Sequence, residues 1–360
     1  MKILILANND VGLYQFRREL IGAMLQQGHQ VIISLPDGPL VVPLVEQGCI
    51  FLDTPIDRRG INPVTDLKLF FAYRRMLKAE KPDLVITYTI KPNIYGGMAC
   101  RMAKVPYAVN ITGLGTTFQN NGWLRRLVTF LYRTALKKAK VIFFENGENR
   151  DIFVNEKIVP ETKCCLLNGA GVNLERYPYR PYDKKGPVRF LFMGRVMQEK
   201  GIDELFGAME RLHQEGMDCS LDVLGYYEED YAEIIRRCEA QGWLHYHGYQ
   251  NDVRPFIEQA HCFVLPSWHE GMANTNLECA AMGLPVITSD IPGCREAVIE
   301  GKTGLLCSPK DTDSLYAQLR RFLMLSPEER AAMGQAGRAH MEAVFDKKKV
   351  VEETIRGLGL

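Results

Sequence analysis

Short apolar runs alternate with amphipathic segments along the whole chain. In the first half, the runs that predict buried strands are KILILA, QVIISLP, DLVITY, YAVNIT and KVIFFE. The segments between them favour helices, as in YQFRRELIGAMLQQG, where apolar positions recur at helical spacing before a final glycine. This alternation predicts parallel strands joined by crossover helices.

The alternation restarts after GVNLERYPYRPYDKKGPV, a stretch rich in proline, tyrosine and charge that is typical of a linker. VRFLFMG, SLDVLG, HCFVLP and PVITSD then predict further strands. We therefore expect an α/β fold of two Rossmann-like, doubly wound parallel-sheet domains, at 1–180 and 181–345, with 346–360 returning to the first domain. Ligands of such sheets bind beyond the carboxyl ends of the strands, so we expect a central cleft between the domains to hold the ligand.

The composition supports an ordinary globular protein. A chain of 360 residues with 46% hydrophobic and 24% charged residues can bury two substantial cores. The apolar run near Met1 is too short for a signal peptide or a membrane span, which indicates a cytoplasmic protein. The ten cysteines include no C-x-x-C pair, so reduced thiols are favoured over a disulfide framework or a zinc site.

Charge is distributed unevenly, although the net charge is only +1. Residues 1–180 carry 24 Lys and Arg against 15 Asp and Glu, whereas the remaining residues carry 20 against 28. Unless this asymmetry is accidental, it indicates that the first half meets an anionic surface or substrate.

Two cations follow the strand VRFLFMG. The loop GRVMQEKG places Arg195 at the end of the strand and Lys200 near the start of the next helix. Cations beside the N–H groups of a helix start are typical of a diphosphate site, whereas an isolated loop Arg and Lys are ordinarily solvated. Their position after a strand favours the diphosphate site.

Two glutamates bracket another helix start in WHEGMANTNLECAAMG. The strand HCFVLP leads into a loop with Glu270, and a short helix is expected to run from Asn274 or Thr275 to Met282. Glu278 has an ordinary structural explanation, because a threonine three residues before a glutamate has the spacing of a capping box. Glu270 has no such explanation, so it is the stronger candidate for chemistry.

The order of these motifs resembles one protein family. Glu270 and Glu278 form an E-x7-E pair, and together with GRVMQEKG they resemble glycosyltransferase family 4, whose members are retaining, use nucleotide sugars and have the GT-B fold. The resemblance continues through NNDVGLYQFRREL, LNGAGVNLERY, YHGYQNDVRPFI and PGCREAVIEGKTGLL, nearly the whole chain. It points to bacterial members that build capsule, O-antigen or exopolysaccharide units on a polyprenyl diphosphate carrier.

The resemblance implies roles for the matching residues. Arg195 and Lys200 would hold the donor diphosphate, Glu278 would accept the ribose hydroxyls, and Glu270 would be the catalytic residue that faces the transferred sugar. Gly12 would let the first loop approach the phosphates, and Tyr249 would border the base. The other implied donor-binding residues are Gly271, Met272, Ala273, Asn274 and Thr275.

Lys91, Asn93 and Thr112 are candidates for the acceptor or sugar side. Many family members have a histidine in the first-domain loop where this chain has Ile90 and Lys91. Lys91 could meet a carboxylate or a phosphate of the ligand, and an exposed loop lysine is an equally good explanation.

The resemblance further implies a metal-independent retaining hexosyltransferase that needs no cofactor besides a UDP-sugar. The expected acceptor is a lipid-linked saccharide, and the expected donor carries GalNAc, galactose or galacturonate. Fixed cations and helix dipoles stabilise a departing diphosphate, so no metal is required. Asp311 and Asp313 form a D-x-D segment like the metal motif of other glycosyltransferases, but their place before SLYAQLRRFL favours a helix cap.

A basic amphipathic helix is predicted at 122–140, in GWLRRLVTFLYRTALKKAK. It suits either the surface of an anionic membrane or ordinary packing on the sheet with a solvated basic face. We expect a peripheral location at the inner face of the cell membrane and no nucleic acid partner. Two alternatives to a transferase are a non-hydrolysing UDP-sugar epimerase and a non-catalytic nucleotide-sugar-binding protein.

Overall fold

A computed structural model of the chain describes all residues except 58, 59, 61, 115–117, 119–121 and 184. The chain forms two compact units. Unit 1 comprises Met1–Ala170 and Lys348–Leu360, and unit 2 comprises Gly171–Lys347. Each unit is built on its own parallel sheet.

The strands are β1 (Lys2–Leu6), β2 (Gln30–Leu35), β3 (Ile50–Asp53), β4 (Leu84–Tyr88), β5 (Tyr107–Ile111), β6 (Val141–Phe144), β7 (Cys164–Leu166), β8 (Val188–Met193), β9 (Cys219–Leu224), β10 (Leu244–Gly248), β11 (Cys262–Leu265), β12 (Val286–Ser289) and β13 (Gly304–Cys307). The helices are α1 (Asp10–Gln26), α2 (Val41–Glu46), α3 (Pro63–Glu80), α4 (Gly97–Ala103), α5 (Trp123–Leu136), α6 (Gly147–Asn155), α7 (Ile202–Gln214), α8 (Ala232–Ala240), α9 (Arg254–Gln259), α10 (Asn274–Ala281), α11 (Thr312–Met324), α12 (Pro327–Val344) and α13 (Lys347–Leu358). A π-helical turn (Pro92–Gly96) precedes α4, and short 3₁₀ turns lie at Glu161–Lys163, Gln198–Lys200 and Arg295–Ala297.

Unit 1 contains a seven-stranded sheet with the order β3-β2-β1-β4-β5-β6-β7. Successive side chains of a strand point to opposite faces, and β1 is buried on both. Leu4 and Leu6 pack in the core that includes α3, α4 and α5. Ile3 and Ile5 pack in the core that includes α1, α2 and α13. Burial on both faces explains why the predicted strands are nearly continuous apolar runs.

Unit 2 contains a six-stranded sheet with the order β10-β9-β8-β11-β12-β13. One large core includes both faces of this sheet, with Phe190 and Phe192 of β8 and Phe263 of β11 fully buried. Both sheets therefore have the doubly wound topology that the alternating pattern predicted. In each sheet the order reverses once, between β1 and β4 in unit 1 and between β8 and β11 in unit 2.

The division between the units differs from the boundary expected at 180. Residues 171–180 belong to unit 2, where the Arg180 N–H donates to the Met282 carbonyl (3.0 Å) and Arg338 donates to the Tyr177 carbonyl (3.0 Å). The composition of this stretch is typical of a linker, but its backbone is bonded to unit 2. Residues 348–360 belong to unit 1, where Lys140 Nζ donates to the Leu358 carbonyl at 2.6 Å.

Candidate active site

The candidate site lies where the strand order of the unit 2 sheet reverses. Strands β8 and β11 are hydrogen-bonded neighbours, with Phe190 opposite Cys262. The loops after these strands leave for opposite faces of the sheet, and such a switch point is where ligands of doubly wound sheets bind. The loop after β8 carries Arg195 and Lys200, and the loop after β11 carries Glu270. Two motifs that are distant in sequence therefore meet at one edge of the sheet.

Gly201 allows the two loops to pack closely. It has a left-handed backbone (φ +73°), and a Cβ there would lie 2.1 Å from the Pro266 carbonyl oxygen. Glycine is the residue that tolerates both conditions. The Trp268 N–H adds a second link by donating to the Glu199 carbonyl at 3.0 Å.

Lys200 and Glu270 form an ion pair across these loops. Lys200 Nζ donates to Glu270 Oε1, and the same oxygen lies 2.8 Å from Ser267 Oγ, which also donates to it. The side chains of the pair are only 18% and 13% exposed, and charges this far from water need partners. An anionic ligand group could therefore take Glu270's place beside Lys200. Ser267 was not predicted from the sequence, because its only signal is its place between a strand and Glu270.

A turn at residues 292–293 packs against the backbone of the Glu270 loop. Gly293 is left-handed (φ +83°), and a Cβ there would lie 2.8 Å from the Glu270 carbonyl oxygen. The Gly293 carbonyl accepts the Ala273 N–H at 2.7 Å, and the Gly293 N–H donates to Glu296 at 2.8 Å. The Pro-Gly sequence was the available signal for this turn. The loop is thus fixed by backbone contacts.

Helix α10 begins without a side-chain cap. Its N-cap residue is Ala273, and Thr275 lies inside the first turn, so Thr275 and Glu278 do not form the capping box that their spacing suggested. Glu278 instead hydrogen-bonds with the Tyr177 hydroxyl. Burial and the nearby Glu278 charge both raise the pKa of Tyr177, so its hydroxyl stays protonated and donates. No sequence signal had pointed to Tyr177.

The first turn of α10 presents polar groups without protein partners. In the part of the chain that the structure describes, the N–H groups of Asn274 and Thr275 have no protein acceptor, as expected at a helix start. Asn274 Oδ1 is buried and has no hydrogen-bond partner. The Ala273 N–H is already bonded to the Gly293 carbonyl, and Met272 is 6% exposed. Of these two residues, therefore, only the Met272 backbone is left to contact a ligand. Gly271 is half-buried beside them.

Arg195 and Tyr249 lie apart from the ion pair. Arg195 reaches towards Glu228, with 3.7 Å between Nη1 and Oε2, and its side chain is 38% exposed. Tyr249 follows the edge strand β10 and is 57% exposed. Strand β9 lies between β10 and β8, so β10, which Tyr249 follows, is two strand spacings of roughly 5 Å each from β8.

In unit 1, Gly12 lies in the first turn of α1, which corrects the expectation of a loop residue. Its N–H donates to Oδ1 of the N-cap residue Asn9 at 2.6 Å, and a Cβ would lie 3.1 Å from that oxygen. The glycine therefore leaves room for the helix cap. Thr112 directly follows β5 and is half-buried.

Lys91 and Asn93 are held inside unit 1. Lys91 Nζ pairs with Asp66 at 2.7 Å and its side chain is 14% exposed, so it is not an exposed loop lysine. Asn93 is 1% exposed; it accepts from the Thr87 hydroxyl (2.7 Å) and donates to the Asn110 carbonyl (2.9 Å). This amide ties β4 to β5, which corrects the expectation that Asn93 faces a ligand.

The D-x-D segment caps a helix, as predicted. Asp311 is the N-cap of α11 and accepts the Ser314 N–H at 2.9 Å, and Asp313 pairs with Arg211 at 2.9 Å. Over the described ranges, no group of three His, Cys, Asp or Glu side chains is arranged to hold a metal ion.

Helix α5 exposes large apolar side chains together with cations. Trp123, Leu127 and Phe130 are 72%, 42% and 63% exposed, and their spacing places them on one face. Arg125 is bound to Glu156, so not every predicted basic residue of this segment is available to a partner. No helix within the described residues is both long and apolar enough to cross a membrane.

Comparison with known proteins identifies the family. A model of the glycosyl transferase 4-like domain matches residues 12–192, and a model of glycosyl transferases group 1 matches residues 180–340. The chain is 25% identical over 375 aligned positions to an N,N'-diacetylbacillosaminyl-diphospho-undecaprenol alpha-1,3-N-acetylgalactosaminyltransferase of Campylobacter jejuni, covering 99% of this chain and 98% of the relative.

A second relative is the UDP-Gal:alpha-D-GlcNAc-diphosphoundecaprenol alpha-1,3-galactosyltransferase of Escherichia coli, 27% identical over 317 positions, or 81% of this chain and 79% of the relative. Among solved structures, Anabaena Alr3699/HepE in complex with UDP-glucose superposes with a TM-score of 0.82 at 16% identity, covering 100% of this chain and 99% of that chain. With one family model over half of its length and a second over most of the rest, the chain belongs to glycosyltransferase family 4, and it has the GT-B fold that its sequence predicted.

Proposed function

We propose that the chain is a retaining glycosyltransferase that moves a galacto-configured sugar from a UDP donor to a polyprenyl-diphosphate-linked saccharide in surface polysaccharide synthesis. The observation that carries this proposal is the Lys200–Glu270 pair at the switch point of unit 2. It joins a cation suited to a phosphate with a carboxylate suited to the reacting sugar, beside the uncapped start of α10.

The roles of the residues follow from the charge that develops during transfer. As the glycosidic bond to UDP breaks, the diphosphate gains negative charge and the sugar becomes oxocarbenium-like. In this proposal Lys200, Arg195 and the first N–H groups of α10 stabilise the diphosphate, with Arg195 turning from Glu228 towards the ligand. Once Lys200 binds the diphosphate, Glu270 faces the positively charged sugar, held in place by Ser267.

Glu278 is the proposed ligand of the ribose hydroxyls. Its position beyond the first turn of α10 leaves the carboxylate without a capping role, and Tyr177 fixes its orientation. A carboxylate accepts hydrogen bonds from two neighbouring hydroxyls. Gly271, Asn274 and Thr275 then offer backbone groups to the sugar and phosphate.

The names of the relatives support the choice of substrates. The Campylobacter jejuni relative is named as an N-acetylgalactosaminyltransferase and the Escherichia coli relative as a galactosyltransferase, and both names include a diphospho-undecaprenol carrier. We extend this substrate class to the present chain, with UDP-GalNAc, UDP-galactose and UDP-galacturonate as the donors to test first.

Membrane attachment at the inner face of the cell membrane is part of the proposal, because the acceptor is a lipid. The exposed face of α5, which carries Trp123, Leu127 and Phe130, suits the boundary between headgroups and acyl chains. Replacing Trp123 and Phe130 by serine should reduce binding to vesicles, whereas serine at the exposed Val42, on α2, should not.

The test is a transfer assay with each UDP-sugar and undecaprenyl-diphosphate-linked saccharides, with and without EDTA. We expect an α-linked product from the α-linked donor and equal rates in both conditions, because the fixed cations replace a metal. An inverted product would refute the retaining mechanism, and loss of activity in EDTA would refute metal independence. Conversion of the UDP-sugar to its epimer without acceptor would favour the epimerase alternative.

A further inference from the structure

The Lys200–Glu270 pair has a second pair beside it. Glu199 and His269, the residues immediately before Lys200 and Glu270, lie opposite each other, with 3.4 Å between Glu199 Oε2 and His269 Nε2. Two successive residues of the loop after β8 thus face two successive residues of the loop after β11. The side chains of Glu199 and His269 are 33% and 36% exposed, more than those of Lys200 and Glu270, so the second pair lies nearer to water.

The backbone beside the second pair is fixed. The Trp268 N–H donates to the Glu199 carbonyl at 3.0 Å, and Gly201 packs against the Pro266 carbonyl. His269 follows Trp268 directly, and Glu199 itself carries the accepting carbonyl. The contact between the two side chains is therefore adjacent to a backbone bond that joins the same two loops.

Glu199 is not needed to start helix α7. In the described part of the chain, α7 has the N-cap residue Gly201 and no side-chain cap, and Asp203 and Glu204 provide acids in its first turn. Among the described residues, His269 is the only basic side chain paired with Glu199. The Glu199 carboxylate is therefore best explained by its contact with His269.

Donor binding changes the two pairs differently. In the proposed mechanism the diphosphate takes the place of Glu270 beside Lys200, so this side-chain link between the loops is lost when the donor binds. The Glu199–His269 pair involves neither of these residues and can remain. It then holds the residue next to Glu270 while the carboxylate faces the sugar. Such support matters, because a displacement of about 1 Å at a reacting group can slow a reaction by roughly 100-fold.

We propose that His269 is a positioning residue for sugar transfer. Through Glu199 it holds the loop after β11 against the loop after β8 once the donor has displaced the Lys200–Glu270 pair. Its role in transfer rests on the proposed function, whereas the link between the loops is a property of unit 2 alone. Without a ligand both pairs join the loops, so the second pair becomes decisive only when the first is broken.

Hydrogen exchange of the Trp268 amide measures this link without a ligand, because that N–H bonds to the Glu199 carbonyl across the loops. Lys200→Met combined with Glu270→Gln breaks the first pair and leaves no buried charge. The exchange is measured at about pH 6, where histidine side chains ordinarily carry a charge. His269→Ala should change the rate little in the wild-type background. In the double-variant background it should raise the rate about fivefold, the factor that one half-exposed ion pair contributes at most.

The control for the exchange measurement is Arg321→Ala. It breaks the exposed pair of Arg321 with Glu300 elsewhere in unit 2 and should leave the exchange of the Trp268 amide unchanged in both backgrounds. Equal effects of His269→Ala in the two backgrounds would show that the two pairs do not share the task of joining the loops, and would overturn the proposal. The absence of an effect in either background would overturn it as well.

Turnover tests the role in transfer. Glu199→Ala and His269→Ala should each lower kcat about fivefold, and the two together should lower it no further, because both break the same pair. Glu199→Ala removes an anion beside the diphosphate site, so UDP affinity measured by calorimetry should not fall. His269→Arg keeps a cation opposite Glu199 and should restore most of the activity that His269→Ala loses.

Multiplying losses of kcat in the double variant would overturn the positioning role. A fall of UDP affinity in Glu199→Ala as large as the fall of kcat would also overturn it, because the pair would then support the donor site as a whole. If the wild type transfers no sugar, the proposed function fails. The exchange measurement still decides whether the Glu199–His269 pair holds the two loops together.

Discussion

The ammonium group of Lys200 and the carboxylate of Glu270 pair across the loops that follow the two central strands of unit 2. The pair is almost enclosed, and Ser267 fixes the carboxylate. Without a ligand, the two charges neutralise each other. Once a diphosphate and a sugar bind, Lys200 can pair with the diphosphate and Glu270 can face the sugar. The pair therefore predicts different effects for the loss of each partner.

Loss of Lys200 should weaken donor binding. Lys200→Ala removes a charge-assisted hydrogen bond to the diphosphate, which typically contributes about 1.5–3 kcal/mol, so the Kd of UDP should rise roughly tenfold or more. Arg195→Ala should act in the same direction. Calorimetry with UDP measures both, and Lys302→Ala, an exposed lysine of the same unit, is the control. Unchanged UDP affinity in Lys200→Ala would remove it from the diphosphate site.

Loss of the Glu270 charge should leave UDP binding intact and slow turnover. In Glu270→Gln the amide still meets Ser267, but it no longer stabilises the positive charge that develops on the sugar. We expect kcat to fall by at least about 100-fold, the typical effect of removing one group that stabilises transition-state charge. Normal turnover by Glu270→Gln on a lipid-linked acceptor would exclude Glu270 from catalysis.

Glu278 should contribute to UDP affinity, because the structure leaves it no capping role. Glu278→Gln loses charged acceptance of the ribose hydroxyls, so UDP should bind more weakly by about 1–3 kcal/mol. Thr275→Val is the matched test of the capping box and should leave the thermal midpoint nearly unchanged. If Glu278→Gln binds UDP like wild type, the Glu278 carboxylate hydrogen-bonds with Tyr177 and does not bind the ribose.

Asn93 should matter for stability and not for the acceptor. Asn93→Ala leaves the buried Thr87 hydroxyl and Asn110 carbonyl without their partner, which should lower the free energy of unfolding by about 1–3 kcal/mol. Urea denaturation measures this effect. An increase in the KM for the acceptor without a loss of stability would restore Asn93 to the acceptor side.

The sequence predicted the central strands of both sheets, because they are buried on both faces and form apolar runs. It did not identify β3, β7 and β10, whose residues are partly exposed, or β13, whose run GLLC begins with a glycine. All four are edge strands of their sheets, so each has only one neighbouring strand. Half-buried edges lack the pattern on which the prediction depends.

Site residues could be predicted from the sequence where their motif directly follows a strand. Residues that come together only in the folded chain could not be predicted. Arg195, Lys200 and Glu270 could be found because the ends of neighbouring parallel strands lie at one edge of a sheet. Tyr177, which binds Glu278, comes from a stretch that resembled a linker. Its distance from Glu278 along the chain left no local signal of their contact.

Trp268 is predicted to position Glu270 through Glu204. The Trp268 indole N–H donates to Glu204 Oε1 at 3.1 Å, while Glu204 is 8% exposed and its Oε2 is buried without a hydrogen-bond partner. Trp268→Phe keeps a ring beneath Lys310 but removes the indole N–H that donates to this carboxylate, which should lower the free energy of unfolding by about 1–3 kcal/mol. Because Trp268 lies next to Ser267, the shift of the loop should also lower kcat more than UDP affinity.

A double-mutant cycle separates this contact from a simple loss of packing. Glu204→Met removes the buried carboxylate, and the half-exposed indole N–H can then bind water. If the hydrogen bond holds the loop, Trp268→Phe should cost much less in the Glu204→Met background than in the wild type, since replacing both partners by apolar groups avoids an unsatisfied buried charge. Thermal unfolding and kcat are measured for all four proteins. Additive losses would mean that the ring, and not its bond to Glu204, supports the Glu270 loop.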